Sequence, residues 1–276
     1  MNSLAVNLII ERLQACIPET YSIEGYIKSG GQGHVFRGTF KEQPAAIKAF
    51  NPSYGTERIQ REIDFLSGAN HPNLVRVFNA ETIDVPDIDL PVPIVAYEFL
   101  HGGDLTSHLQ PDSPIIPEEQ LLQLGNEMGS AIEYLWSHRK VHRDIKPGNI
   151  LISQDERFVL VDFGFTKHLD LSTITLPGQA PGTLGYKSPE QGRGRSSLTI
   201  KSDIFSLGIT IYEVATKVHP FSRNQELIGR MVPNPLNSIR QNLSEPLSTL
   251  VSDMLRTVPA QRVRDISAQF EYLIGG

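Results

Sequence analysis

Cysteine is almost missing from this chain of 276 residues: the single Cys16 excludes an internal disulfide framework and fits a reducing, cytoplasmic compartment. Positive charge is not in surplus either. With 25 Lys and Arg against 31 Asp and Glu, the formal net charge is -6. No broad cationic surface is left for a nucleic-acid backbone, so any phosphate binding has to be local. Long apolar runs are lacking too. The stretch Met1 to Ile10 contains Leu4, Val6, Leu8, Ile9 and Ile10, but it has no basic leader and no small-residue cleavage pattern, and it is too short to span a bilayer. Integral membrane association is therefore not expected. No internal repeat or low-complexity tract is found.

What is present is enough apolar sequence, 39% of residues, for one large domain or two small lobes with their own cores. Leu8 or Ile9, Leu13, Cys16 and Ile17 recur at helical spacing, which predicts an amphipathic helix over residues 1–20 packed on the domain; a membrane or partner helix is the alternative. From Tyr21 to Phe99 the text reads as β-type runs at Tyr21–Ile27, His34–Phe40, Pro44–Phe50, Leu74–Ala80 and Ile94–Phe99. One helix interrupts them, with Ile59, Ile63 and Leu66 as its apolar stripe and Glu62 at the stripe's edge, facing the sheet. The loop Ile83–Pro93, with Pro86, Pro91 and Pro93, is expected to be exposed. After Gly102 and Gly103 the periods become helical, first at Leu121, Leu124, Met128, Ile132 and Leu135. Ile204–Ala215, apolar on nearly every face, predicts a buried helix. An α+β protein follows, with a β-rich lobe (21–100), a larger helical lobe (101–276) and a ligand cleft expected at the hinge near Glu98–Gly103.

Transfer of a γ-phosphoryl group needs a lid over the phosphates, a cation to orient them, metal ligands and a group to receive the incoming hydroxyl. Gly30, Gly31 and Gly33 lie between two strands, where missing side chains let backbone N–H groups approach a polyphosphate; an ordinary hairpin turn is the alternative. Ala45, Ala46, Ile47 and Lys48 form an alternating segment that aims one ammonium inward, and Glu62 is its natural counter-ion. The densest chemistry is Val141-His142-Arg143-Asp144-Ile145-Lys146-Pro147-Gly148-Asn149-Ile150-Leu151, followed by Asp162-Phe163-Gly164.

These residues, with the glycine loop and Lys48, closely resemble the eukaryotic-type serine/threonine protein kinases, in matching order from Tyr21 to Arg262. The resemblance implies the bilobal kinase fold, ATP and Mg2+ as cofactors, and a protein Ser/Thr hydroxyl as acceptor. It implies that Asp144 orients the hydroxyl, that Lys146 neutralises the moving phosphoryl group, and that Asn149 and Asp162 hold the metal. It places Ile27, Val35, Ala46 and Leu151 around the adenine, backbone groups at Glu98–Leu100 on its edge, and Tyr97 at the limit of the pocket's depth. Asp104 is implied as a ribose partner, with a helix cap as the equal alternative. His142 resembles the family's packing histidine beside Phe163. Gly182-Thr183-Leu184-Gly185-Tyr186-Lys187-Ser188-Pro189-Glu190 resembles the end of an activation segment and a peptide-docking platform. Glu190 is then expected to pair with Arg262, and Asp203 to brace the catalytic loop.

Lys28 stands where the family has the lid's first glycine, and Gln32 where it often has an aromatic. Two rival readings are a pseudokinase scaffold and a small-molecule phosphotransferase; the retained Lys48, Glu62, Asp144, Asn149 and Asp162 weigh against the first, and the segment ending at Glu190 against the second. Arg143 beside Asp144 suggests control by autophosphorylation within Asp162–Glu190, with Ser172, Thr173 and Thr175 as acceptors. The end of the chain soon after Arg262 suggests a free catalytic unit.

Overall fold

The computed structural model describes residues 3–51, 56–86, 91–163, 167–168, 183–194 and 198–276. The chain divides into two compact units, Met1–Asn70 with Leu74–His101, and His71–Asn73 with Gly102–Gly276.

The first unit is a five-stranded antiparallel sheet in the order β1-β2-β3-β5-β4, made of β1 (Tyr21–Gly30), β2 (Gly33–Phe40), β3 (Gln43–Phe50), β4 (Val77–Ile83) and β5 (Val92–Glu98). Alternation decides which face is core. Phe36 and Phe40 on β2, Ala45, Ile47 and Ala49 on β3, and Ile94 and Ala96 on β5 share one buried cluster. The helix α1 (Ser3–Cys16) closes that cluster with Leu13, and Ile17 follows just beyond its end, as the helical spacing predicts.

Lys48 lies on the other face. Val35 opposes Lys48 and Arg37 opposes Ala46 across β2 and β3, while Ala46 opposes Tyr97 and Lys48 opposes Val95 across β3 and β5. Lys48 thus leaves the sheet on the side away from Ile47, beside Tyr97. The helix α2 (Thr56–Gly68) buries Ile59 and Leu66, and Glu62 is 6% exposed, so its carboxylate turns inward as the stripe predicts.

Two local expectations need correction. The segment from Ile83 to Pro93 is not uniformly exposed: Val85 joins the core, and Pro93 is buried as the second residue of β5. Proline is tolerated there because β3 pairs with β5 only as far as Ile94, so Pro93 faces a partner strand on one side alone. The fourth strand runs Val77–Ile83 instead of Leu74–Ala80.

The second unit is mainly helical, with α3 (Glu118–Ser137), α4 (Pro189–Gly192), α5 (Ile200–Thr216), α6 (Leu236–Ile239), α7 (Glu245–Met254) and α8 (Ile266–Gly275). Its strands are short: β6 (Lys140–Val141) pairs with β9 (Lys167–His168), and β7 (Ile150–Ile152) with β8 (Phe158–Leu160). Leu121, Leu124, Met128, Ile132 and Leu135 of α3 are all buried, and α3 packs on α5 and α8. Helix α5 is buried from Ser202 to Ala215. Burying a helix on all sides is tolerable because its polar side chains find partners: Ser206 Oγ donates to the Tyr186 and Ser202 carbonyls, and Thr210 Oγ1 to that of Ser206. Among the described residues no helix is long and apolar enough to cross a membrane.

Candidate active site

In the second unit the chain from His142 to Asn149 wraps around one carboxylate. Asp144 is 2% exposed. Its Oδ2 accepts from Lys146 Nζ at 2.9 Å and from Asn149 Nδ2 at 2.9 Å. Its Oδ1 accepts from the Thr183 amide at 2.7 Å and from Thr183 Oγ1 at 2.8 Å, and Lys146 Nζ also donates to Thr183 Oγ1. Asn149 Nδ2 further donates to the Asp144 carbonyl at 2.8 Å. A carboxylate held by these donors has a fixed orientation.

The backbone beneath is over-determined. Asp203, at the start of α5, accepts from the amides of His142 and Arg143 at 2.7 and 2.8 Å. Burial pushes its carboxyl up to about 7, against the pull of those amides and of the Arg143 charge. Arg143 takes a left-handed φ of 71°, and its carbonyl accepts from Gln191 Nε2 at 2.7 Å. Such a conformation is costly for arginine and persists because its surroundings hold it. His142 is fully buried, its ring 5.0 Å from that of Phe163 in an edge-on contact. Burial holds its imidazole below the usual value, as suits a ring packed in the core.

Asn149 and Asp162 are brought close by backbone pairing, because the Val161 amide donates to the Asn149 carbonyl at 3.0 Å. Both offer hard oxygen, and since Asn149 spends its Nδ2 on Asp144, its side-chain oxygen is the atom suited to a cation. The pair fits Mg2+ in kind. Asp162 also has a positive φ, 65°. Glu190 and Arg262 form the expected buried two-pronged pair, NH1 to Oε1 at 2.7 Å and NH2 to Oε2 at 2.9 Å. Burial raises the Glu190 carboxyl, but Arg262 outweighs it and holds the group below its ordinary value.

In the first unit, Lys48 is 8% exposed and its Nζ donates to Gln32 Oε1 at 2.5 Å. Gln32 shares with Gly31 the two-residue turn between Gly30 and Gly33, and its carbonyl accepts from the Asn51 amide at 2.8 Å. Gly33 is required by close approach: at φ 148°, a Cβ there would lie 2.1 Å from the Ala49 carbonyl oxygen. Glu62 Oε1 accepts from the Tyr97 hydroxyl at 3.0 Å. Val35 and Ala46 are half-buried neighbours on the Lys48 face, while Ile27 is 43% exposed on β1. Glu98 ends β5, where its Oε1 accepts from the Arg76 amide, and Leu100 is buried.

Leu151 lies on β7 and pairs with Asp104 through a single bridge. Asp104 caps the 3-10 turn Leu105–Leu109 by accepting from the Thr106 amide at 3.0 Å, which is the cap reading of its two alternatives. Gly164, Ser172, Thr173, Thr175 and Gly182 lie outside the described residues. Sequence reasoning missed three contacts: Gln32 on Lys48, the Tyr97 hydroxyl on Glu62, and Thr183 on Asp144. No spacing rule signals any of them.

The family described as Protein kinase domain matches residues 21–269, and the chain belongs to that family. It is 32% identical over 211 or 208 residues to bacterial relatives, the latter being serine/threonine-protein kinase PrkC of Bacillus subtilis, where 73% of this chain and 31% of the relative are covered. It is 28% identical to serine/threonine-protein kinase PknB of Mycobacterium leprae, covering 89% of this chain and 41% of that protein. To serine/threonine-protein kinase 36 of Pongo abelii it is 30% identical, covering 89% and 18%. The chain therefore spans well under two thirds of the length of these relatives.

Proposed function

We propose that this chain transfers the γ-phosphoryl group of ATP to a serine or threonine hydroxyl of a protein. The observation that carries the reading is the set of donors on Asp144, namely Lys146, Asn149 and Thr183. In this reading residues 21–276 are the kinase domain and 1–20 a helical extension of it.

Lys48 orients the phosphates, its Nζ lying 4.5 Å from the Phe50 ring centre. Asp144 accepts a hydrogen bond from the acceptor hydroxyl and aligns its oxygen. As that oxygen bonds to the γ-phosphorus, the bond to the bridging oxygen breaks, ADP leaves with that electron pair, and the hydroxyl proton passes to Asp144. An ordinary carboxylate suffices, because positioning and charge neutralisation dominate a loose transition state. Lys146, bridging Asp144 and Thr183, neutralises charge on the group in flight. Asn149 and Asp162 would hold Mg2+, which when bound supplies charge neutralisation on the phosphates.

Val35, Ala46 and Leu151 are the apolar residues suited to a flat base, and the single Cys16 favours a cytoplasmic setting. Regulation by autophosphorylation within 162–190 is part of the proposal. Mass spectrometry after incubation with ATP should find phosphate in that segment. For the acceptor class, labelled ATP offered with protein, peptide and small-molecule acceptors should label protein serine and threonine. Label on small molecules alone would refute the acceptor assignment.

A further inference from the structure

The segment that follows Thr183 is held by a side chain that nothing in the reaction scheme uses. Gln225 lies in the loop between α5 and α6. Its Oε1 accepts from the Gly185 amide at 3.0 Å, and its Nε2 donates to the Lys187 carbonyl at 3.0 Å. One carboxamide thus spans three consecutive residues and satisfies a donor at one end and an acceptor at the other. Tyr186, between them, is tied to α5 instead: its carbonyl accepts from Ser206 Oγ at 2.8 Å and its hydroxyl donates to Glu213.

The loop that carries Gln225 is itself shaped for this contact. His219 Nδ1 accepts from the amides of Phe221 and Arg223 at 3.1 and 3.0 Å, and Arg223 donates to Glu213, the same carboxylate that holds Tyr186. Gly185 has φ 89°, and a Cβ there would sit 3.2 Å from the Arg223 Cα, so glycine is what lets the segment lie flat against this loop. A Cβ at Gly192 would come within 3.0 Å of Gln225 Nε2. From Gly185 to Gln191 every residue is buried, whereas Leu184, next to the Thr183 that grips Asp144, is 68% exposed.

We infer that Gln225 is a positioning residue for the protein acceptor. It acts through the backbone of Gly185 and Lys187, holding the strip beside Asp144 rigid so that an acceptor chain meets a preformed edge, with Leu184 as its exposed apolar contact. A rigid edge spares the acceptor the entropy of ordering that strip, so the effect belongs in acceptor affinity. Thr183 keeps its own bonds to Asp144, so the chemical step is left in place. The inference rests on the kinase reading above.

The test uses the full chain, with casein as acceptor, and two independent readouts. In steady-state kinetics Gln225→Ala should raise KM for casein about tenfold, the loss of roughly one to two net hydrogen bonds, with kcat and KM for ATP within about twofold of wild type. Gln225→Glu, which keeps the acceptor for Gly185 and loses the donor to Lys187, should fall between. In amide hydrogen exchange Gln225→Ala should lose protection at 185–187 while α3 and α5 keep theirs. Unchanged exchange at 185–187 overturns the bracket whatever the kinetics show. Lost protection with unchanged KM for casein overturns its acceptor role. Wild-type protein that labels no protein acceptor refutes the kinase reading and the acceptor role with it, while the exchange result still decides whether Gln225 holds the strip.

Discussion

Gln32 Oε1 lies 2.5 Å from Lys48 Nζ, on a side chain that is itself only 8% exposed. A neutral oxygen thus occupies a donor position that a phosphate oxygen would use, at the tip of the very loop assigned to cover the phosphates. A negatively charged phosphate is the stronger partner, but it has to displace or share this contact.

Removing the internal competitor should tighten nucleotide binding. Gln32→Ala is expected to lower the Kd for a non-hydrolysable ATP analogue with Mg2+ by about three- to tenfold, the scale of one net hydrogen bond. Gln32→Glu, which puts a full charge against the ammonium, should weaken binding. Calorimetric titration reads both. Weaker binding by Gln32→Ala would show that the contact positions Lys48 instead of competing for it.

Thr183 contributes its hydroxyl as well as its amide to Asp144. Thr183→Ala removes the hydroxyl bonds to Asp144 and Lys146 and leaves the amide in place. Because small misplacements of a positioned group are costly, kcat should fall about ten- to a hundredfold with KM for ATP little changed, and Thr183→Ser should restore it. A wild-type kcat in Thr183→Ala would remove the hydroxyl from the site.

The Glu190 and Arg262 pair has a pH signature. The folded carboxyl titrates below its ordinary value of 4.5, so its stabilising contribution is complete above about 4.5 and is lost as pH falls through the lower folded value. Glu190→Gln leaves the buried Arg262 charge uncompensated and should cost about 3–5 kcal/mol at pH 7. The Tm gap between wild type and variant, followed by calorimetry, should be widest near neutrality and narrow as the pH is taken below 4.5. A gap that stays constant into acid would mean that the ion pair is not the source of the loss.

Much of this is legible in the residues alone. Periodicity predicts the core side of α2, α3 and α5 because a helix that buries one stripe or all faces must write that fact in its apolar spacing. The order of Lys48, Glu62, Asp144, Asn149 and Asp162 carries the resemblance to the kinases, because each proposed role demands a particular side-chain chemistry. Contacts made by versatile polar residues are another matter. Gln32, Tyr97, Thr183, Gln191 and Gln225 hydrogen-bond partners 16 to 48 positions away, and nothing in their local sequence names that partner. The burial of Pro93 was hidden for a related reason, since proline marks a loop by local rules and only the strand pairing reveals a one-sided position.

The central claim is that Asp144 receives the acceptor hydroxyl, and Asp144→Asn tests it most directly, because the amide keeps the shape and loses the charge and basicity. Initial rates of Mg2+-dependent phosphate transfer from labelled ATP to casein should fall about a hundred- to ten-thousandfold, with nucleotide binding close to wild type. Transfer by Asp144→Asn at the wild-type rate would contradict the account.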